Sequence, residues 1–161
     1  MSKKIEMADE YIKTAEKDLS YAPEFHFTPP TGWMNDPNGL CQYKGVYHLF
    51  YQFNPFEPRM GQTFWGHATS TDLIHWQHEK VALKPNRKYD WVGVWSGSAV
   101  VKDEKLYLFY TGNSIKQQQC LARYDFEKGM AEKYAKNPII PVEKLPVKKD
   151  KRDFRDPKVI C

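Results

Sequence analysis

Two hydrophobic periods divide the chain. From residue 5 to about residue 20, apolar side chains recur at steps of three and four among Lys and Glu, which predicts one amphipathic α-helix with a narrow apolar stripe. From about residue 25 onward, short aromatic and β-branched runs are bounded by Gly, Asn, Asp and Pro, the pattern of strands and turns. We therefore expect an all-β body over residues 25–161, preceded by a short N-terminal α-helix and linker over residues 1–24.

The strand-like runs form two similar groups of four. Within each group, polar turns separate neighbouring runs, so each group predicts a meander of four antiparallel strands. The predicted strands are 39–43, 46–53, 66–70 and 75–78 with 81–82 in the first group, and 99–102, 106–111, 119–124 and 130–134 in the second. The predicted turns are 44–45, 71–72 and 103–104.

Three polar side chains recur at one interval within this pattern. Asp36, Ser96 and Asp156 stand 60 residues apart, and a strand-like run follows each of them. The second strands of the first two units also match, because 49–54 and 108–113 both begin with Leu-Phe-Tyr and end in Asn. A fixed period indicates repeated β units, and the repeat would bring the three side chains together at one polar pocket.

A unit of about 60 residues has the size of a large propeller blade, which holds four antiparallel strands. Propellers typically close with about four to eight blades, whereas 161 residues supply fewer than three such units. The third unit reaches Cys161 within its first predicted strand. We therefore expect the N-terminal part of a longer propeller, about two and a half blades.

Charge is spread along the chain rather than gathered on one face. The net charge of +4 comes from 24 basic and 20 acidic residues, and a nucleic-acid-binding protein more often has a concentrated basic surface. We therefore expect no nucleic-acid partner. The one basic cluster lies in a loop with interleaved Asp residues, where a solvated connector is the favoured interpretation and a site for a phosphorylated sugar is the alternative. Its members are Lys148, Lys149, Lys151 and Arg152.

The three cysteines are far apart, and none belongs to a zinc-type Cys-x-x-Cys pair. This spacing argues against a disulfide scaffold and against a metal site. The first 20 residues are charged throughout, and no apolar run approaches the roughly 20 residues that a membrane span requires. We therefore expect a cytoplasmic protein without a membrane partner.

The segment from Trp33 to Gly39, Trp-Met-Asn-Asp-Pro-Asn-Gly, is the densest chemical signal in the chain. Its Asn, Asp, Pro and Gly are also common turn residues, so a plain turn is the alternative interpretation. The repeat favours chemistry, because it supplies a second carboxylate, Asp156, and a tryptophan lies near both Asp36 and Ser96. Paired carboxylates are typical of glycosidases, in which one carboxylate attacks or stabilises the anomeric carbon and a protonated acid assists the leaving oxygen.

The segment from Trp33 to Gly39 is one of seven short segments that occur in a fixed order along the chain. They are His26-Phe27-Thr28-Pro29, the segment from Trp33 to Gly39, Tyr51-Gln52-Phe53-Asn54-Pro55, Trp65-Gly66-His67-Ala68, the segment from Ser70 to Trp76, Trp95-Ser96-Gly97-Ser98 and Phe154-Arg155-Asp156-Pro157. In this order the chain resembles glycoside hydrolase family 32, the invertases and fructan hydrolases. The resemblance covers about residues 25 to 161.

The resemblance implies a five-bladed β-propeller with a retaining β-fructofuranosidase site, whose substrate is a sugar: sucrose, sucrose 6-phosphate or a short β-fructan. Asp36 matches the family's nucleophile, which would form a covalent fructosyl intermediate, and Asp156 matches the carboxylate that stabilises the transition state. Arg155 matches the sugar-binding neighbour of that carboxylate. The other matching positions of the fructose pocket are Trp33, Asn35, Gln52, Trp65, Trp95 and Ser96. The resemblance implies no metal and no organic cofactor.

The general acid of the family is a Glu in a Glu-Cys pair that follows the Arg-Asp-Pro motif, and no Glu of this chain precedes a Cys. Because general acid catalysis contributes about 10²- to 10⁴-fold, we expect the 161 residues alone to be inactive. Two alternatives stay open: a non-catalytic piece that binds fructosides weakly, and a fructosyltransferase in which a second sugar replaces water. Among hydrolase substrates, the expected cytoplasmic location favours sucrose 6-phosphate.

Several of these residues also have a structural interpretation. Packing between blades is the alternative for Trp65 and Trp95, and the end of a strand is the alternative for Gln52. We expect His67 to be structural, because nothing around it in the sequence forms a metal site. Tyr51 and its equivalent in the second unit are expected to belong to the core.

Overall fold

The fold is that of a computed structural model, which describes residues 3–16, 20–146 and 153–160. In these ranges the chain forms one α-helix and two four-stranded sheets. The helix α1 spans Lys3–Thr14; the first sheet contains β1 (Trp33–Tyr43), β2 (Val46–Asn54), β3 (Phe64–Ser70) and β4 (Gln77–His78); the second contains β5 (Gly93–Lys102), β6 (Lys105–Asn113), β7 (Gln117–Asp125) and β8 (Met130–Lys133). The predicted basic cluster and Cys161 lie outside the described residues, and the predicted domain boundary after residue 24 stays a prediction.

Both sheets are antiparallel meanders, in the orders β1-β2-β3-β4 and β5-β6-β7-β8. This arrangement confirms the all-β prediction and the two groups of four strands. Each first hairpin turns where the sequence predicts it, with φ of 49° at Lys44, 82° at Gly45, 48° at Asp103 and 53° at Glu104. Two successive positive φ angles define a type I′ turn, whose twist matches that of the flanking strands.

The ends of two kinds of element differ from the prediction. Helix α1 ends at Thr14 instead of continuing towards residue 20. The innermost strands, β1 and β5, begin at Trp33 and Gly93 rather than at residues 39 and 99. Bulges explain the longer strands, because each register shift lets polar residues stay in the strand without a partner opposite them.

The outermost strand of the first sheet is shorter than predicted. It contains only Gln77–His78, and the apolar pair at 81–82 lies beyond it. The backbone N–H of Val81 donates to Asp9 Oδ1 on α1 at 3.0 Å, and that of Ala82 donates to the carbonyl of Trp65 at 2.9 Å. Both residues are buried, Val81 in a cluster with Ile5 and Ala8 of the helix and Ala82 in the core between the sheets. Their apolar character therefore reflects packing rather than membership of a strand.

The two sheets share a hydrophobic core. Phe50 and Trp65 of the first sheet pack in one buried cluster with Leu106, Leu108 and Tyr110 of the second. At the inner edge, the strands β1 and β5 approach so closely that a Cβ on Gly39 would lie 3.0 Å from Ala99 Cβ. Gly39 also has a φ of 53°, which an L side chain rarely adopts. The sheets therefore pack as adjacent blades.

A second hydrophobic cluster holds helix α1 against the sheets. Ile5 and Ala8 of the helix are buried with Phe53 and Phe64 of the first sheet, and Met130 of β8 packs against the same cluster. The helix therefore contacts both blades through the apolar stripe that the three- and four-residue steps predict. No helix in the described ranges combines the length and apolar character needed to cross a membrane.

A buried polar chain also connects the blades. His48 Nδ1 lies 3.0 Å from His67 Nε2, and His67 Nδ1 lies 3.0 Å from the hydroxyl of Tyr124 on β7. The ring of His67 is stacked on Phe50 with 4.5 Å between centroids. Burial, and to a smaller extent the neighbouring His48, lower the pKa of His67 to about 3. Tyr51 and Tyr110 are fully buried, which confirms their expected place in the core.

Candidate active site

The candidate site begins with bulges in the two innermost strands. The register of β1 against β2 shifts between Met34 and Pro37, which leaves Asn35 and Asp36 without partners in the ladder. The register of β5 against β6 shifts at the equivalent place, at Ser96. A bulge turns side chains away from the regular alternation of a strand, so both blades present polar groups at the same inner edge.

A short hydrogen bond joins the two bulges. Ser96 Oγ donates to Asp36 Oδ2 at 2.7 Å, which is within the range of charge-assisted bonds. The backbone N–H of Gly97 donates to Asn38 Oδ1 at 3.2 Å, one position along both strands. Asp36 Oδ1 has no hydrogen-bond partner among the described residues. The carboxylate is therefore held through one of its two oxygens.

The segment 153–160 packs beside β5 as β5 packs beside β1. The backbone N–H of Asp156 donates to Thr111 Oγ1 at 2.8 Å, and Ser98 Oγ donates to the carbonyl of Pro157 at 2.8 Å. Gln119 Nε2 donates to the carbonyl of Phe154 at 2.9 Å. The contact between Ser98 and Pro157 joins residues 59 apart along the chain, as the repeat predicts.

Asp156 has an unusual backbone and a perturbed carboxyl group. Its φ is 59°, in the left-handed region where Asp is one of the few residues that occur. Arg155 Nε lies 3.7 Å from Asp156 Oδ2, and the same guanidinium is paired with Asp153. Partial burial raises the pKa of Asp156, the Arg155 charge lowers it, and the Asp36 charge raises it. The negative charge of Asp36 therefore disfavours ionisation of the Asp156 carboxyl group.

These groups surround a cavity of about 350 Å³. Its walls contain every predicted site residue except Trp65, so the structure brings together groups from two blades and from the segment 153–160. The lining residues are Trp33, Asn35, Asp36, Gln52, Met60, Trp95, Ser96, Gln117, Asp153, Arg155 and Asp156. The described residues contain no group of three or more His, Cys, Asp or Glu side chains placed to hold a metal ion.

Trp65 lies behind the cavity wall rather than on it. Its side chain has no exposed surface, and it packs between Phe50 and Tyr110 at centroid distances of 5.9 and 6.5 Å. Trp65 Nε1 donates to the carbonyl of Trp95 at 3.1 Å. In this structure Trp65 therefore supports the wall residue Trp95, a placement that matches the packing alternative.

Gln52 is on the wall and also braces it. Gln52 Nε2 donates to the carbonyl of Val94 at 3.0 Å, across the gap between β2 and β5. The residue is 5% exposed and is among those that line the cavity. The side chain of Gln52 therefore links the two blades and also lines the cavity.

Three wall residues were not among those predicted: Met60, Gln117 and Asp153. A signal for Asp153 exists in the sequence, because it stands 120 residues after Trp33, at the same position of the repeat. Met60 lies in the loop between β2 and β3, and Gln117 is the first residue of β7. No repeat position or motif in the sequence marks these two.

The fold and the cavity define a β-propeller protein whose innermost strands present carboxylates and aromatic side chains to one pocket. The chain belongs to the glycosyl hydrolases family 32, because residues 26–161 match the N-terminal domain of that family. The match begins at His26 and includes every residue that lines the cavity.

Curated relatives and solved structures agree with this assignment. Raffinose invertase of Escherichia coli is 46% identical over 134 residues, covering 76% of this chain and 28% of that protein. Sucrose-6-phosphate hydrolase of Bacillus subtilis (strain 168) is 45% identical over 141 residues, covering 84% of this chain and 28% of that protein. A mutant of the family 32 β-fructofuranosidase of Bombyx mori, solved in complex with sucrose, is 39% identical with a TM-score of 0.81, covering 95% of this chain and 33% of that one.

The chain therefore spans about a quarter to a third of the length of these relatives. The structural similarity confirms the predicted fold, the N-terminal part of a five-bladed β-propeller. Its two described sheets correspond to the first two blades of the prediction, and the segment 153–160 lies where the innermost strand of the third is expected.

Proposed function

We propose that the cavity is the fructose-binding part of a retaining β-fructofuranosidase. The observation that carries this proposal is the 2.7 Å hydrogen bond from Ser96 to Asp36 Oδ2, in a cavity that also contains Asp156. A nucleophilic carboxylate must hold one oxygen in place and direct the other at the anomeric carbon. The contact with Ser96 does this for Asp36.

In the proposed reaction, Asp36 Oδ1 bonds to the anomeric carbon of fructose as the glycosidic carbon–oxygen bond breaks. The leaving oxygen takes a proton from a general acid, and water later cleaves the fructosyl ester with retention. Asp156 and Arg155 hydrogen-bond to fructose hydroxyls, and the negative charge of Asp156 stabilises the oxocarbenium-like transition state. The aromatic faces of Trp33 and Trp95 pack on the sugar's C–H surface.

The proposed substrates are β-fructosides, since the relatives are named as a raffinose invertase and a sucrose-6-phosphate hydrolase, and the Bombyx mori structure contains sucrose. The preference for sucrose 6-phosphate rests on the expected cytoplasmic location, which stays a prediction. Rates measured with sucrose and with sucrose 6-phosphate decide it. A preference for the unphosphorylated sugar would contradict it.

The test uses a fusion enzyme in which residues 1–161 replace the corresponding N-terminal part of Escherichia coli raffinose invertase. We expect fructose release from sucrose, and Asp36→Asn lowers kcat by at least about 10³-fold, because the nucleophile is lost. The matched control is Asp103→Asn, the same substitution at an exposed hairpin turn. A folded fusion enzyme that releases no fructose, or one that keeps its rate with Asp36→Asn, would contradict the proposal.

Binding without turnover is the second candidate for the 161 residues on their own. It is favoured because the chain contains no Glu-Cys pair, the motif that supplies the general acid in the family. We expect the isolated chain to bind sucrose weakly by NMR titration, with shifts at Trp33 and Trp95, and to release no fructose. Fructose release by the isolated chain that disappears with Asp36→Asn would refute this candidate.

A further inference from the structure

One buried hydroxyl, that of Thr111, contacts the backbone of both Ser96 and Asp156 in the candidate site. Thr111, in β6, is fully buried. Its Oγ1 donates to the carbonyl of Ser96 at 3.0 Å and accepts from the backbone N–H of Asp156 at 2.8 Å. A threonine hydroxyl has one proton to donate and lone pairs to accept with, so both bonds form at once.

We infer that Thr111 is a positioning residue, whose hydroxyl fixes the placement of Asp156 relative to the Asp36–Ser96 pair. This inference rests on the proposed function of the same site. Thr111 does not line the cavity, so it acts through Ser96 and Asp156 rather than on the substrate.

The two backbone groups that Thr111 binds lie outside the regular hydrogen bonding of a sheet. Ser96 lies in the bulge of β5 and has no partner in the ladder with β6, so its carbonyl needs another hydrogen bond. Asp156 lies in a segment without regular secondary structure, with a φ of 59°. A backbone held in the left-handed region persists only when its surroundings specify it, and the bond to Thr111 is part of those surroundings.

The repeat gives independent support. Thr111 is the fourth residue of the motif that begins at Leu108, and Gln52 is the fourth residue of the matching motif that begins at Leu49. Gln52 binds the carbonyl of Val94 in the next innermost strand, and Thr111 binds the N–H of Asp156 in the next innermost segment. The fourth residue of this motif, in the second strand of each sheet, therefore links its own repeat unit to the next one beside the cavity.

The experiment compares three variants of the fusion enzyme. Thr111→Val keeps the shape of the side chain and removes the hydroxyl, whereas Thr111→Ser keeps the hydroxyl. Thr63→Val is the matched control, because Thr63 is equally buried and its Oγ1 has no hydrogen-bond partner among the described residues. We expect Thr111→Val to lower kcat by about 10- to 100-fold, since small misplacements of reacting groups have effects of this size.

Thr111→Ser is expected to recover most of the lost kcat, and Thr63→Val to leave kcat unchanged. Thermal unfolding of each variant separates a change in stability from a change in kcat. If Thr111→Val does not fold, Thr111→Ala, which cannot clash, takes its place. A kcat for the hydroxyl-free variant equal to that of the Thr63→Val control, or an equal loss with Thr111→Ser, would overturn the inference.

A second readout does not depend on activity. In the isolated chain, the amide hydrogen of Asp156 should exchange with solvent about 10-fold faster or more in Thr111→Val than in Thr111→Ser, because its acceptor is missing. Equal exchange rates would overturn the inference. If the unsubstituted fusion enzyme released no fructose, the proposed function would fail, while this measurement would still decide whether the hydroxyl holds Asp156.

Discussion

The carboxylate of Asp36 depends on one hydroxyl for its orientation. Ser96 Oγ is its donor at 2.7 Å, and Ser96 is 8% exposed, so water cannot easily take the place of that donor. In the fusion enzyme, we expect Ser96→Ala to lower kcat by about 10- to 100-fold, because hydrogen bonds to charged groups contribute about 1.5–3 kcal/mol. Steady-state kinetics with sucrose measure this change.

The control for this prediction is Ser114→Ala. Among the described residues, the hydroxyl of Ser114 bonds only to the backbone of Lys116, after the end of β6. Its loss should leave kcat within about 2-fold, since surface substitutions away from the site have small effects. Similar kinetics for Ser96→Ala and Ser114→Ala would show that the contact with Asp36 has no catalytic role.

Single residues differ in how well the sequence predicts their place. Asp36, Ser96 and Asp156 follow from the 60-residue period, because equivalent positions on adjacent blades must face the same axis. Trp65 does not follow, because nearly every position of β3 is buried. Without alternation of buried and exposed residues, a strand gives no sign of which side chains face a cavity and which face the core.

Elements were predictable where local chemistry decides their limits. The turns at 44–45 and 103–104 form as expected because short polar pairs between apolar runs favour tight hairpins. The starts of β1 and β5 and the end of the first sheet were not predictable. Bulges lengthen the innermost strands, and the apolar residues at 81–82 bond to helix α1 and β3 instead of extending β4. Tertiary contacts overrode the local pattern in both places.

The polar chain across β2, β3 and β7 should make stability depend on pH. The pKa of folded His67 is about 3, well below the ordinary value of 6.5, because burial disfavours the charged ring. The unfolded chain therefore binds more protons below pH 6.5, and stability falls as the pH falls. From pH 7 to pH 5 we expect His67 alone to remove about 2 kcal/mol from the free energy of unfolding.

Urea unfolding at both pH values tests this dependence. His67→Gln should reduce the difference between pH 7 and pH 5, although His48, whose pKa is also lowered by burial, leaves part of it. His26→Gln is the matched control, because His26 is exposed in the segment before β1. An unchanged pH dependence in His67→Gln would contradict the assignment of this effect to the buried chain.

At the scale of the whole molecule, two clusters hold the blades together from different sides. One lies between the sheets and contains Phe50, Trp65 and Tyr110. The other lies under helix α1 and joins the first sheet to Met130 of β8. Asp9 adds a polar contact, because its carboxylate accepts from the backbone N–H of Val81. The helix therefore helps to hold the first sheet and β8 of the second together.

This role predicts a clear difference between two positions of the same helix. Ile5 is 5% exposed and belongs to the cluster under the helix, whereas Met7 is 57% exposed. We expect Ile5→Ala to lower the free energy of unfolding of the isolated chain by about 2–4 kcal/mol, through lost burial and the cavity left behind. Met7→Ala should change it by no more than about 0.5 kcal/mol.

Urea unfolding followed by tryptophan fluorescence measures both variants. If the helix links the blades, Ile5→Ala should unfold in a single transition at a lower urea concentration, because loss of the link weakens both sheets together. Separate unfolding of the helix, with the tryptophan transition unchanged, would show that α1 only lies on the surface. In that case the blades, and the cavity between their innermost strands, would be held by the core around Trp65 alone.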